Sequence, residues 1–183
     1  IEAEKLKQQL SLNLLQQQVN PHFLYNTLDN ICALAELDEK ETLIQLVMNL
    51  SSFYRSSLSN GKMHISIGQE LEISRAYLEI LQIRYFHKFD FTITCPEALK
   101  NYSCIKLLLQ PILENSIIHG TELKLGAGNL YIRFACTQER LIICVSDDGV
   151  GMDEETLAAL NRKLGRANDS FGSSEEEKGG IAL

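Results

Sequence analysis

The stretch Gln17-Gln18-Val19-Asn20-Pro21-His22-Phe23-Leu24-Tyr25-Asn26-Thr27-Leu28 sets one histidine beside a proline in a segment that otherwise reads as helix. Proline inside a helix removes a backbone donor and clashes with the carbonyl four residues back, at a cost of about 3 kcal/mol, so keeping it there shapes something local. Gln18 and Asn26 lie four residues either side of His22 and share its face, while Phe23, Leu24 and Leu28 face elsewhere. An imidazole on such a polar stripe can accept a phosphoryl group, since neutral imidazole is already nucleophilic near neutral pH. A lone histidine is more often an ordinary surface or core residue, so the rest of the chain has to decide.

Two further constellations bear on it. Leu109-Gln110-Pro111-Ile112-Leu113-Glu114-Asn115-Ser116-Ile117-Ile118-His119-Gly120 places an acid, an amide and a histidine on a helix flanked by apolar residues, with Asn115 and His119 on one face at i, i+4 spacing. An amide oxygen suits Mg²⁺, which prefers oxygen and sits between a few protein groups, waters and nucleotide phosphates. Asp147-Asp148-Gly149-Val150-Gly151-Met152 follows an apolar strand and precedes a helix. Its glycines permit a tight turn close to a ligand, and a partly buried Asp147 can accept a hydrogen bond from an exocyclic amine such as that of adenine. Gly179-Gly180 allows backbone amides to approach phosphate at a helix N-terminus. Each motif alone also has a purely structural explanation: a helix polar face, a strand-to-helix turn, a glycine pair.

The elements that must position these residues follow from periodicity. Residues from about Glu2 to Leu37 read as one helix, with Leu6, Leu10, Leu14, Ile31 and Leu34 along it. A charged connection, Glu36 to Glu41, leads to a second helix whose apolar face is Leu43, Leu46, Val47, Leu50, Phe53 and Tyr54. Two helices bury too little surface alone, so this antiparallel hairpin is expected to pair with another copy as a four-helix bundle. Ser59-Asn60-Gly61-Lys62 breaks the pattern, and Ser66-Ile67-Gly68-Gln69 has the form of a capping box opening a third helix to about Tyr85. Phe89, Phe91, Ile93 and Cys95 then alternate with polar residues as a strand. Ser103 to His119 reads as helix, Asn129 to Cys136 and Arg140 to Ser146 as strands, and Asp153 to Leu164 as helix. The fold class is therefore α+β, with helices on one face of a sheet. Gly165 to Gly180 reads as a mobile loop. A further helix starts at Gly179-Gly180-Ile181-Ala182-Leu183, and three strands leave a helical layer uncovered, so a longer parent extending past both ends is expected.

Composition narrows the function classes. The net charge of −7, from 17 basic and 24 acidic residues, opposes attraction to phosphodiester backbones, so no direct nucleic-acid partner is expected. Cys32, Cys95, Cys104, Cys136 and Cys144 are odd in number and contain no C-x-x-C pair, which reads as small buried hydrophobes in a reducing compartment rather than a zinc site. No apolar run approaches the roughly 20 residues that span a bilayer.

In order, these segments resemble the autolysin-sensor (LytS-like) branch of the sensor histidine kinases over nearly the whole chain. Asn20 to Leu28 matches that branch's phosphoacceptor box, Tyr77-Leu78-Glu79-Ile80-Leu81-Gln82-Ile83-Arg84 its linker, Leu109 to Gly120 the N box, and Asp147 to Gly151 the first glycine box of a Bergerat ATP-binding fold. The resemblance implies a dimerising phosphotransfer hairpin over residues 1–60, a linker helix over 61–88 and an incomplete α/β-sandwich ATP-binding domain over 89–183. It implies His22 as the phosphorylated residue and Asn115 as the Mg²⁺ ligand, with Glu114 as a second metal candidate. It also implies Asp147 as the adenine contact, Gly149, Gly151 and Gly180 as backbone contacts to ATP, and His119 as a phosphate contact. The implied partners are a second copy of the chain and a DNA-binding response regulator. The implied location is the cytoplasmic side of the inner or plasma membrane, reached through an absent sensor segment.

Some positions depart from the wider pattern. Phe23 stands where larger branches carry an acid that serves as base, and Pro111 stands where related ATPases carry a glutamate, which argues against a water-activating ATPase. Ile118 replaces a common lysine and Ala182 the last glycine of Gly-x-Gly-Leu. These two replacements, with the expected missing C-terminal segment, are what speak for the alternative, a degenerate kinase acting as a dimerisation and regulator-docking scaffold.

Overall fold

A computed structural model describes residues 21–57, 63–121, 127–138 and 140–162. The expected helix before Pro21, the break at Ser59–Lys62, the loop after Leu164 and the glycines at 179 and 180 lie outside these residues.

Helix α1 (Pro21–Glu36) and helix α2 (Lys40–Ser57) form the expected hairpin. The connection is tight: Leu37 N–H donates to Ala33 O at 3.0 Å, and Asp38 takes the left-handed conformation (φ 57°) that Asp and Asn tolerate best. Strand β1 (His64–Ser66) leads into helix α3 (Ile67–Arg84). The predicted capping box is present: Gln69 N–H donates to Ser66 Oγ at 3.2 Å, and Ser66 N–H donates to Gln69 Oε1 at 3.0 Å.

Helix α3 is the centre of the molecule. Ile67, Ile73, Tyr77, Leu78, Ile80 and Leu81 are all buried, so it lacks the single apolar stripe of a surface helix and packs on both sides. One side meets α1 and α2. The other meets β2 (Phe89–Thr94) and the segment around β3 (Ser103–Ile105).

Strand β2 pairs in parallel with β4 (Gly128–Cys136), and β4 pairs antiparallel with β5 (Leu141–Asp147), giving the order β2-β4-β5. Alternation sends Leu130, Ile132 and Phe134 into the core while Tyr131 and Arg133 face outward, where the Arg133 guanidinium lies 5.9 Å from the Tyr131 ring centre. The chain is thus α+β, and the three expected strands of this sheet are found within two residues of their predicted ends. A helix over residues 154–162 follows.

The predicted helix from Ser103 to His119 is corrected. Ser103–Ile105 is instead a strand that pairs antiparallel with β1, and only Gln110–Asn115 is α-helix, here α4. Between them Leu107 sits in the left-handed region (φ 61°), which costs a side-chain-bearing residue about 1–2 kcal/mol. The cause is 37 residues away: the carboxyl of Glu70, 2% exposed on α3, accepts Leu107 N–H at 2.8 Å and Leu109 N–H at 3.0 Å. These backbone donors bind a side chain from α3, so the segment is drawn out of helical geometry.

The cysteines also depart from expectation. Cys104 alone is buried, with its thiol pushed up to about 11 by burial and the nearby Glu70 charge; Cys95 is half-buried, and Cys32, Cys136 and Cys144 are exposed. Their residue type favours burial on average, but helix and strand registers are set by larger side chains.

Burial raises the Glu70 carboxyl above its ordinary 4.5, outweighing the backbone N–H donors and the Lys106 charge that pull it down. With the folded value above the unfolded one, folding favours the protonated acid. That stability is present below pH 4.5 and is lost as pH rises through the folded value. Glu70→Gln lacks this titration. Urea midpoints are expected to show wild type losing stability relative to Glu70→Gln as pH rises from 4.5 towards neutrality.

Candidate functional site

His22 projects from the first turn of α1 and is exposed. Its neighbour Phe23 is 3% exposed and packs against Phe53 and Tyr77, with ring centres 5.3 and 5.0 Å away. One turn further, the buried Thr27 donates its hydroxyl to Phe23 O at 2.7 Å. Phe23 and Thr27 therefore fix the rotation of α1, and His22, displaced by about 100° from Phe23, is turned away from the core.

Asn26 shares the face of His22, as predicted; Gln18 lies outside the described residues. The Asn26 amide nitrogen is 3.2 Å from His22 Nδ1 and 3.1 Å from Nε2. The in-plane directions of the two ring nitrogens diverge, so one amide nitrogen cannot lie along both. Near-equal distances place the amide against the ring face, steadying the imidazole without selecting a tautomer.

The second constellation begins at α4. Pro111 sits in its first turn, where no intrahelical donor is required. Leu113, Ser116 and Ile117 are buried, and Asn115, the last residue of α4, is exposed. At Ser116 the helix widens into a π-helical turn, Ser116–Thr121. The Asn115 to His119 spacing runs across this junction, and the His119 side chain lies outside the described residues. Glu114 is half-buried and its charge reaches Tyr77, whose hydroxyl is pushed up chiefly by burial and further by Glu114. Adjacent Glu114 and Asn115 thus diverge around the helix.

The third constellation closes β5. Gly149 N–H donates to Asp147 Oδ1 at 3.0 Å, forming a local turn on the aspartate itself. Asp147 is exposed, not partly buried as assumed. Gly151 has φ 71° with open space where a Cβ would stand, so its glycine is demanded by backbone conformation and not by crowding. Gly180 lies outside the described residues.

Asp148 went unnoticed among the candidates. Its carboxylate accepts Asn129 N–H at 2.7 Å and the Asn129 amide at 2.8 Å, while its own N–H donates to Asn129 O at 3.2 Å. These three bonds staple the start of β4 to the end of β5 and fix where the glycine turn leaves the sheet. An acid directly before a turn glycine was the available signal. The π turn packs against β4 and β5, which sets the Asn115 segment beside the strand that ends at Asp147. Among the described residues no group of three or more His, Cys, Asp and Glu could hold a metal ion. An exposed neutral amide oxygen at a helix end fits Mg²⁺ that arrives with a nucleotide, since such Mg²⁺ draws most of its ligands from phosphate and water.

Residues 10–89 match the family model described as histidine kinase. The chain is 34% identical over 187 residues to sensor protein LytS of Oceanobacillus iheyensis, covering 100% of this chain and 31% of the relative. It is 31% identical over 193 residues to sensor histidine kinase YesM of Bacillus subtilis, covering 98% and 33% respectively. It is 34% identical over 140 residues to sensor histidine kinase BtsS of Escherichia coli K12, covering 76% and 25%. The chain belongs to the sensor histidine kinase family. It corresponds to a catalytic region of the LytS-like branch and spans a quarter to a third of the length of these relatives.

The exposed candidate His22 and the buried anchor Phe23 are adjacent, and urea denaturation can separate their contributions to stability. Phe23→Ala is expected to cost about 3–5 kcal/mol of stability. His22→Gln is expected to stay within about 0.5 kcal/mol of wild type.

Proposed function

We propose that this chain is the catalytic core of a two-component sensor kinase that moves a phosphoryl group from ATP to His22 and then to an aspartate of a response regulator. The observation that carries this reading is the exposed His22 imidazole, steadied by Asn26 on a helix whose rotation is locked by Phe23 and Thr27. In the first step a P–N bond forms at a ring nitrogen, the bond from the γ-phosphorus to the bridging oxygen breaks, and ADP leaves. The proton lost from the imidazolium product passes to solvent, which the exposed ring meets directly, so Phe23 in place of an acid is no obstacle.

Around the nucleotide, Asn115 would supply a neutral oxygen to Mg²⁺, with Glu114 as a second candidate. Asp147 would accept from the adenine amine, Gly149, Gly151 and Gly180 would offer backbone N–H groups, and His119 would contact phosphate. Bound with ATP, Mg²⁺ supplies neutralisation of phosphate charge. The protein's remaining task is alignment, because phosphoryl transfer asks for little covalent chemistry from its catalyst.

The same reading divides the chain into a hairpin over 1–60, a linker over 61–88 and a Bergerat-type ATP-binding domain over 89–183. Exposed Tyr25 and Leu28 on α1 and Ile44, Val47 and Met48 on α2 offer an apolar surface to a second copy, making a four-helix bundle. No helix among the described residues is long and apolar enough to cross a membrane, so membrane attachment would come from sensor segments of the longer protein. The catalytic region would then lie on the cytoplasmic side.

The test is incubation of the purified full-length protein with γ-labelled ATP and Mg²⁺, beside His22→Gln and Asn115→Ala. Acid-labile, base-stable label that both substitutions abolish is the expected result. ATP binding without any label would replace the kinase reading with a regulator-docking scaffold, and label surviving in His22→Gln would remove His22 from its role.

A further inference from the structure

We propose that Lys106 is a positioning residue that links the second hairpin helix to the helix bearing Asn115, with Glu70 as the other half of the link. The proposal rests on the reading of Asn115 and His22 as parts of one phosphoryl-transfer site.

Lys106 is 7% exposed, and its ammonium donates to the carbonyl of Ser57 at 2.7 Å. Taking an ammonium out of water is costly unless something is gained in return. Its backbone gives no reason for a cation here, since Lys106 N–H already donates to Met63 O at 2.9 Å, extending the β1–β3 pairing. What the side chain adds is a bond across 49 residues to Ser57, where the described part of α2 ends. That end of α2 is under-satisfied. Ser57 Oγ and Tyr54 Oη are buried without hydrogen-bond partners among the described residues, so the Lys106 contact is a principal polar anchor there.

On its other side Lys106 adjoins Leu107, the leucine held in the left-handed region by Glu70 Oε2. Oε1 of the same carboxyl takes Leu109 N–H directly ahead of α4, and Asn115 ends that six-residue helix. From Ser57 to Asn115 there is thus a continuous run of short polar contacts and one rigid turn-and-a-half of helix. A strained backbone at its centre is held only by its surroundings, so a shift of Ser57 tilts α4 instead of being absorbed in a slack loop. Because α2 is the antiparallel partner of α1, rotation of the hairpin moves the phosphoacceptor and the metal-binding amide together.

The experiment follows backbone hydrogen exchange in the purified full-length protein with and without Mg²⁺ and a non-hydrolysable ATP analogue. In wild type, nucleotide is expected to slow exchange in residues 107–115 and also in residues 50–57. In Lys106→Met the first response persists and the second disappears, while Lys106→Arg restores it. With γ-labelled ATP, the labelling rate of Lys106→Met at saturating nucleotide falls at least about tenfold while KM for ATP stays within about twofold. Wild-type exchange in residues 50–57 that ignores nucleotide overturns the link, as does an undiminished response in Lys106→Met. A fall in rate matched by an equal change in KM, or by loss of the folded state in both Lys106 variants, reduces Lys106 to a structural residue. Failure of the kinase reading has a separate signature: wild-type protein that binds the analogue but places no label on His22, with the exchange responses still judging the link.

Discussion

Three aromatic rings on three different helices meet at one point: Phe23 of α1, Phe53 of α2 and Tyr77 of α3 lie 5.0 to 5.7 Å apart, centre to centre. Such contacts add about 0.5–1.5 kcal/mol each beyond the area they bury. Here their larger effect is geometric. The cluster sets the rotation of the helix that carries His22, closes the hairpin and holds both against α3. Since α3 also carries Glu70, whose carboxyl shapes the approach to α4, the placement of His22 and of Asn115 descends from the same helix by two routes.

What was legible in the sequence was whatever depends on neighbours in the chain. Alternation identified β2, because a strand's two faces are written into every second residue, and β4 and β5 were also read as strands from nearby residues alone. The capping box at Ser66 and Gln69 was legible because both of its bonds span three residues. Two features escaped for the converse reason. The stretch 103–109 has helical composition, but it pairs with β1 and its Leu107 and Leu109 donors are claimed by the Glu70 carboxyl 37 and 39 residues earlier, and no local pattern encodes those claims. The π turn at Ser116 likewise has no spacing signature, so the segment after Asn115 was read as a plain continuation of α-helix.

The site motifs illustrate the same division. The turn at Asp147, Gly149 and Gly151 was legible from residue type alone, since a turn bonded to its own aspartate and a positive φ have recognisable chemistry. Asp148 looked like a duplicate of its neighbour. Its work depends on Asn129, on the adjacent strand, and pairing across strands becomes visible only when the register is known.

The adjacency of His22 and Phe23 also limits how α1 can move. A screw motion that slid α1 by one residue would carry the imidazole round by about 100° and drag Phe23 out of its aromatic cavity, a cost comparable to the stability of a small domain. Register slippage, the cheapest gear change available to a two-helix rod, is therefore closed to this hairpin near His22. Displacement of this imidazole must come as tilt or rigid rotation of the whole hairpin, like a lever and not a ratchet.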